Sequence, residues 1–118
     1  MSIQTNLEAL VKMCLEEDIG QRDITTEATV PPNARCHARL MAKQDGVLSG
    51  MEPFRLAFEL LDADIRDWES IADGSQIQQG QVVARFQGHT RAVLTAERTA
   101  MNFVQHLSGV ATLTSQYV

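Results

Sequence analysis

The side chains able to do chemistry are few and scattered. His37, His89 and His106 stand singly, in no His-x-x-x-His or Cys-x-x-His spacing, so each reads as a surface or strand residue rather than a metal ligand. Cys14 and Cys36 form no Cys-x-x-Cys pair and read as reduced thiols, Cys14 in the core. Asp18 and Asp23 offer two carboxylates in a polar stretch, an arrangement that suits turns and helix caps better than a cation site. No Gly-x-x-x-x-Gly-Lys loop or Gly-x-Gly-x-x-Gly run is present to cradle a nucleotide phosphate. What remains is Glu97-Arg98, a charged pair inside an apolar helical pattern. Such a pair is either matched within the core or turned toward a pocket, and the residues alone favour the first.

The bulk properties exclude several classes. Ten basic against fifteen acidic residues give a net charge of −5, and the only lysines are Lys12 and Lys43, so no basic surface for nucleic acid is expected. A few arginines aimed into a pocket can still bind a small anion, because local charge there outweighs the total. The 118 residues, 44% hydrophobic and 21% charged, fit one domain with a modest core of Leu, Val, Ile, Ala and Met, since aromatics make up only 5%. No apolar run is long enough to cross a bilayer, and the first residues lack a signal-peptide pattern, so a cytoplasmic location without membrane contact is expected.

Positioning falls to a mixture of helices and strands. Leu7, Leu10, Val11, Cys14 and Leu15 recur on one helical face behind a Thr5-x-x-Glu8 capping box, which predicts a helix from about Asn6 to about Glu17. Gly20 and the polar stretch to Thr26 predict a loop, with room for a short helix near Thr26 to Thr29. Residues 34–42 alternate, with Cys36, Ala38, Leu40 and Ala42 on one side and Arg35, His37 and Arg39 on the other, as a half-buried strand does. Asp45-Gly46 marks a turn and Val47 to Ser49 a continuation of the sheet. Glu52-Pro53 opens a helix burying Phe54, Ala57, Phe58 and Leu61. Weaker strand patterning covers Ile65 to Ile71; Asp73-Gly74 and Gln79-Gly80 predict turns, and Gln81 to Phe86 a strand. From Arg91 the apolar positions Val93, Ala96, Ala100, Phe103 and Leu107 step by three and four, which predicts a long helix carrying Arg98, Asn102 and Gln105 opposite its main stripe. Ser108-Gly109 reads as a break, with Ser108 capping a further helix through Thr112 and Leu113. That last helix has no stop signal before Val118, so the chain is expected to be part of a longer protein.

Taken in order, these pieces resemble one family. Glu17-Asp18-Ile19-Gly20 and Asp23-Ile24-Thr25-Thr26, then Ala42-Lys43-Gln44-Asp45-Gly46-Val47-Leu48-Ser49-Gly50, then Asp73-Gly74 and Gly80 come first. Leu94-Thr95-Ala96-Glu97-Arg98-Thr99-Ala100-Met101-Asn102-Phe103 and Leu107-Ser108-Gly109-Val110-Ala111-Thr112 follow. Together they cover nearly the whole chain and resemble the amino-terminal domain of quinolinate phosphoribosyltransferase. The resemblance implies an α+β fold: a hammerhead-like α/β sandwich over residues 1–118, its small sheet flanked by helices. It ends in long helices, with residues from about 108 to 118 starting the connection to an α/β barrel that this chain lacks. It implies a decarboxylating enzyme of NAD synthesis, joining quinolinate to phosphoribosyl pyrophosphate with magnesium and giving nicotinate mononucleotide, pyrophosphate and carbon dioxide. The same resemblance implies a homodimer, or a hexamer of dimers, in which Arg98 reaches into the partner's site and holds a quinolinate carboxylate. Glu97 and Asn102 then support the site, and no catalytic or metal-ligating residue belongs to this chain, which alone is expected to be inactive. Arg22 departs from the pattern, standing where the family usually has glycine, and His106 stands where arginine is frequent.

Three other readings compete, one of them a free-standing dimerisation module, which would form a folded dimer with no affinity for quinolinate. Asp73-Gly74, Gly80 and Val82-Val83-Ala84 read like turns of a biotinyl or lipoyl carrier, which would need Lys43 presented on a tight hairpin. A molybdenum-associated paralogue would share the fold but not necessarily the substrate.

Overall fold

Strict alternation in residues 35–41 produces the strand at the centre of the molecule. In the computed structural model, which describes residues 3–61, 64–107 and 112–117, strand β1 (Arg35–Met41) buries Cys36, Ala38 and Leu40 and turns Arg35, His37, Arg39 and Met41 the other way. Helix α1 (Ile3–Thr29) precedes it. Short β2 (Gly46–Val47), helix α2 (Met51–Leu60), β3 (Arg66–Ser70), short β4 (Gln76–Ile77), β5 (Val82–His89), helix α3 (Thr90–Leu107) and β6 (Thr112–Tyr117) follow. Among the described residues the main sheet is antiparallel in the order β3-β5-β1-β6, with Arg39 opposite Arg85 across β1 and β5, while β2 and β4 pair separately.

Helices α2 and α3 lie against one face of this sheet, and α1 packs on α2 and α3. Phe54, Phe58 and Phe86 are fully or almost fully buried and Trp68 packs at their margin, with ring centroids of Phe58 and Phe86 4.9 Å apart and those of Phe54 and Phe58 5.2 Å apart, edge to face. Four aromatics thus concentrate in one place the area that a 5% aromatic content supplies. Around them pack Val11 and Leu15 from α1, Leu56 and Ala57 from α2, and Val93, Ala96, Ala100 and Val104 from α3. The predicted Phe103 is only half-buried, because Val104 takes the core-facing position in the last turns.

Asp73 acts outside its own turn. Helix α2 begins at Gly50, which has φ +92° and no side chain to cap the helix; the Asp73 carboxylate accepts the N–H groups of Gly50 at 3.3 Å and Met51 at 3.2 Å instead. The turn glycines Gly74 and Gly80 sit at φ +89° and +86°, which fits their place in the sequence pattern.

Several expectations are corrected. The loop predicted for Glu17 to Thr26 is helical, and α1 runs through Gly20 to Thr29, with Thr5 inside its first turn rather than at a cap. Arg22, a good helix former where a glycine was expected, removes one of the breakers. Cys14 is half-buried rather than in the core, and Cys36 takes the buried position. Most consequentially, Thr112–Tyr117 is not a helix but strand β6, paired antiparallel with β1 from Cys36↔Tyr117 to Met41↔Thr112. Thr112, Thr114 and Tyr117 favour strands, and β1 offered an open edge whose backbone groups needed partners. Ser108 and Gly109 lie outside the described residues.

Candidate functional site

Helix α3 follows β5 directly, His89 ending the strand and Thr90 beginning the helix. Its start is tied down at two points: the Thr90 N–H donates to the Ala34 carbonyl at 2.9 Å, and Arg91 Nε donates to the Val30 carbonyl at 2.6 Å. Small buried residues on one side, Ala96 and Ala100, bring α3 close to its neighbours, while the opposite side carries Arg98, Asn102 and Gln105 into solvent as the helical spacing predicts.

Glu97 and Arg98 do not form the matched core pair that the residues alone favoured. Glu97 is half-buried on the side toward β1, where its charge adds to the influences on Cys36. Burial chiefly raises that thiol's pKa, and Glu97 raises it further against a Thr90 hydrogen bond and the Arg35 charge. Arg98 is exposed, and no hydrogen bond or ion pair to a described residue holds its guanidinium. A permanently charged planar donor is thereby presented to whatever approaches this face of α3.

Beside it runs a cleft of about 460 Å³ between α1 and α3. Leu7, Leu10, Cys14, Pro53 and Phe103 make it apolar, and Asp18, Thr99 and Asn102 supply its polar groups. Leu10 in its lining is 45% exposed, and Met13 at 62% exposure extends the apolar character of α1 beyond the cleft. Across it the Thr99 hydroxyl donates to the Asp18 carboxylate, linking two motifs that are distant in sequence. Burial, with the Asp18 and Glu17 charges, pushes the Cys14 thiol above its ordinary value, so it stays protonated here. Asn102 thus lines the cleft next to Arg98, whereas Glu97 faces away. The Thr99–Asp18 pair is not legible in the sequence, because nothing in helical spacing says which polar residue of α1 will meet α3.

The exposed face of the sheet carries a second open cleft of about 450 Å³ around His37, Arg39, Arg85 and Gln87, with Asp67 and Glu69 at its rim. Its charges balance, and Glu69 approaches Arg85 at 3.9 Å, so it has no strong preference for an anion. Lys43 is exposed just after β1. Among the described residues no group of three or more His, Cys, Asp or Glu is placed to hold a metal, and no helix is long and apolar enough to cross a membrane.

A small antiparallel sheet covered on one side by helices defines the chain as an α+β domain. Residues 23–108 match the family described as quinolinate phosphoribosyl transferase, N-terminal domain, and the chain belongs to that family. Among its relatives, quinolinate phosphoribosyltransferase [decarboxylating] 1b of Nicotiana tabacum is 34% identical over 110 residues, covering 92% of this chain and 31% of the relative. The probable nicotinate-nucleotide pyrophosphorylase [carboxylating] of Bacillus subtilis is 33% identical over 112 residues, covering 95% of this chain and 38% of the relative. The crystal structure of NadC from Streptococcus pyogenes superposes with a TM-score of 0.80 at 31% identity, over 89% of this chain and 38% of that one. The chain therefore spans about a third of the length of the relatives it matches.

Proposed function

We propose that this domain supplies Arg98 to the dicarboxylate site of a phosphoribosyltransferase that converts quinolinate and phosphoribosyl pyrophosphate to nicotinate mononucleotide, pyrophosphate and carbon dioxide. The observation that carries the reading is the exposed, unengaged guanidinium within the Glu97-Arg98-Thr99-Ala100 segment of α3. Quinolinate presents adjacent carboxylates, and a guanidinium offers them two parallel N–H donors in a fixed plane, which an ammonium cannot. Relatives named for the quinolinate reaction support it over the molybdenum-associated paralogue, and the family match leaves no role for a carrier lysine at Lys43.

The outward placement of Arg98 supports a site completed by a second body. Arg98 faces outward, and on this reading the rest of the substrate is held by residues outside this chain, in a barrel joined to it or belonging to a partner subunit. Delivery across a subunit boundary, in a homodimer or in a hexamer of dimers, is part of the same proposal. Magnesium, as the cofactor of the pyrophosphate-releasing reaction, belongs to the same proposal, with its ligands in the remaining protein. Asn102 borders the same approach and supports Arg98, while Glu97 orders the sheet-facing side of α3. A cytoplasmic location belongs to the same proposal and is checked by cell fractionation; plant relatives are named as chloroplastic or mitochondrial.

Steady-state kinetics of the complete transferase carrying this domain test the reading. Arg98→Ala is expected to raise the KM for quinolinate and lower turnover, and Arg98→Lys to restore little, because charge alone is not the requirement. Unchanged kinetics in Arg98→Ala would remove this residue from the site.

A further inference from the structure

We infer that Asp18 is a positioning residue for Arg98, acting through the hydroxyl of Thr99. This rests on the role proposed for Arg98 and adds to it the device that aims the guanidinium.

The buried surface of α3 is built from Val93, Ala96, Ala100 and Val104. Such short side chains permit close approach but offer no directional contact, and the hydrogen bonds of Thr90 and Arg91 fix only the start of the helix. Thr99 differs from them. It is 1% exposed, it immediately follows Arg98, and its hydroxyl donates to the half-buried Asp18 carboxylate on α1. A hydrogen bond to an ionised acceptor is directional and stronger than a neutral one, and it fixes α3 against α1 at the residue next to the one that must reach outward. Bidentate recognition tolerates little error, since a misplacement of about 1 Å can reduce rate on the order of a hundredfold. Removing the Thr99 hydroxyl leaves a carboxylate in the cleft without its donor and lets α3 settle differently, displacing Arg98 without touching the ligand.

The test is a kinetic comparison of the complete transferase carrying Thr99→Val, Thr99→Ser, Arg98→Ala and the double variant Arg98→Ala/Thr99→Val. Thr99→Val, close in shape but without the hydroxyl, is expected to raise the KM for quinolinate about tenfold while leaving that for phosphoribosyl pyrophosphate unchanged. Thr99→Ser is expected to retain wild-type behaviour, and Thr99→Val to add nothing further once Arg98 is gone. General destabilisation would instead lower the active fraction without this selectivity. If Thr99→Val does not fold, Asp18→Ala, altered from the half-exposed side, is expected to show the same selective rise. An unchanged quinolinate KM in the folded variant, or a full additive loss on top of Arg98→Ala, overturns the positioning role. An Arg98→Ala enzyme with unaltered kinetics would instead overturn the functional reading on which it stands.

Discussion

Arg98 and Asp64 illustrate opposite ways a charged side chain is handled in this domain. Arg98 is left unengaged on α3, so its loss should be felt in binding rather than folding: in the complete transferase, Arg98→Ala is expected to cost roughly 2–5 kcal/mol in kcat/KM for quinolinate, the range for truncating one member of a desolvated charged pair. The isolated domain's melting temperature should hardly move. Asp64 is fully engaged, with Arg66 Nη2 at 2.9 Å, Arg35 Nη1 at 3.1 Å and His89 Nε2 at 3.9 Å from one carboxylate oxygen. Some desolvation opposes ionisation there, but the guanidiniums of Arg66 and Arg35, with His89, hold the carboxyl below its ordinary range. A lowered folded-state pKa stabilises at pH above the unfolded value and is lost as pH falls through the folded one. The melting-temperature gap between wild type and Asp64→Asn should therefore be present at neutral pH and close as pH drops below about 4. A gap that widens on acidification would contradict the assignment.

At the scale of the element, α2 depends on a cap supplied from more than twenty residues away. Gly50 lets the chain enter the helix at positive φ, and Asp73 satisfies the first N–H groups that Gly50 has no side chain to satisfy. Asp73→Ala should lower stability by about 1 kcal/mol, a typical loss for a cap, seen as a reduced urea midpoint with an unchanged slope. Because α2 carries Phe54 and Phe58, loosening its start also loosens the aromatic cluster that seats the helices on the sheet.

Across the whole molecule, the proposed function is divided between this domain and what it meets. It brings a guanidinium and an apolar cleft to an approaching surface and holds, among its described residues, neither a second basic cluster nor a metal-binding set beside them. Purified residues 1–118 should therefore produce no nicotinate mononucleotide from quinolinate and phosphoribosyl pyrophosphate, assayed by product chromatography with magnesium present. Turnover by the chain alone would show that the site is complete within it.

Local rules carried much of this outcome. The alternation of β1, the three-and-four stripe of α3, the glycine turns at Gly74 and Gly80, and the outward placement of Arg98 and Asn102 were legible because period and backbone conformation are properties of neighbouring residues. Tertiary structure decided the rest. Whether Gly20 ends a helix, whether Thr112–Tyr117 coils or pairs with β1, which carboxylate caps α2, and that Asp18 meets Thr99 all depend on what another part of the chain offers. Unsatisfied backbone groups and buried polar atoms take the partner that the fold brings within reach, and no local pattern names that partner in advance.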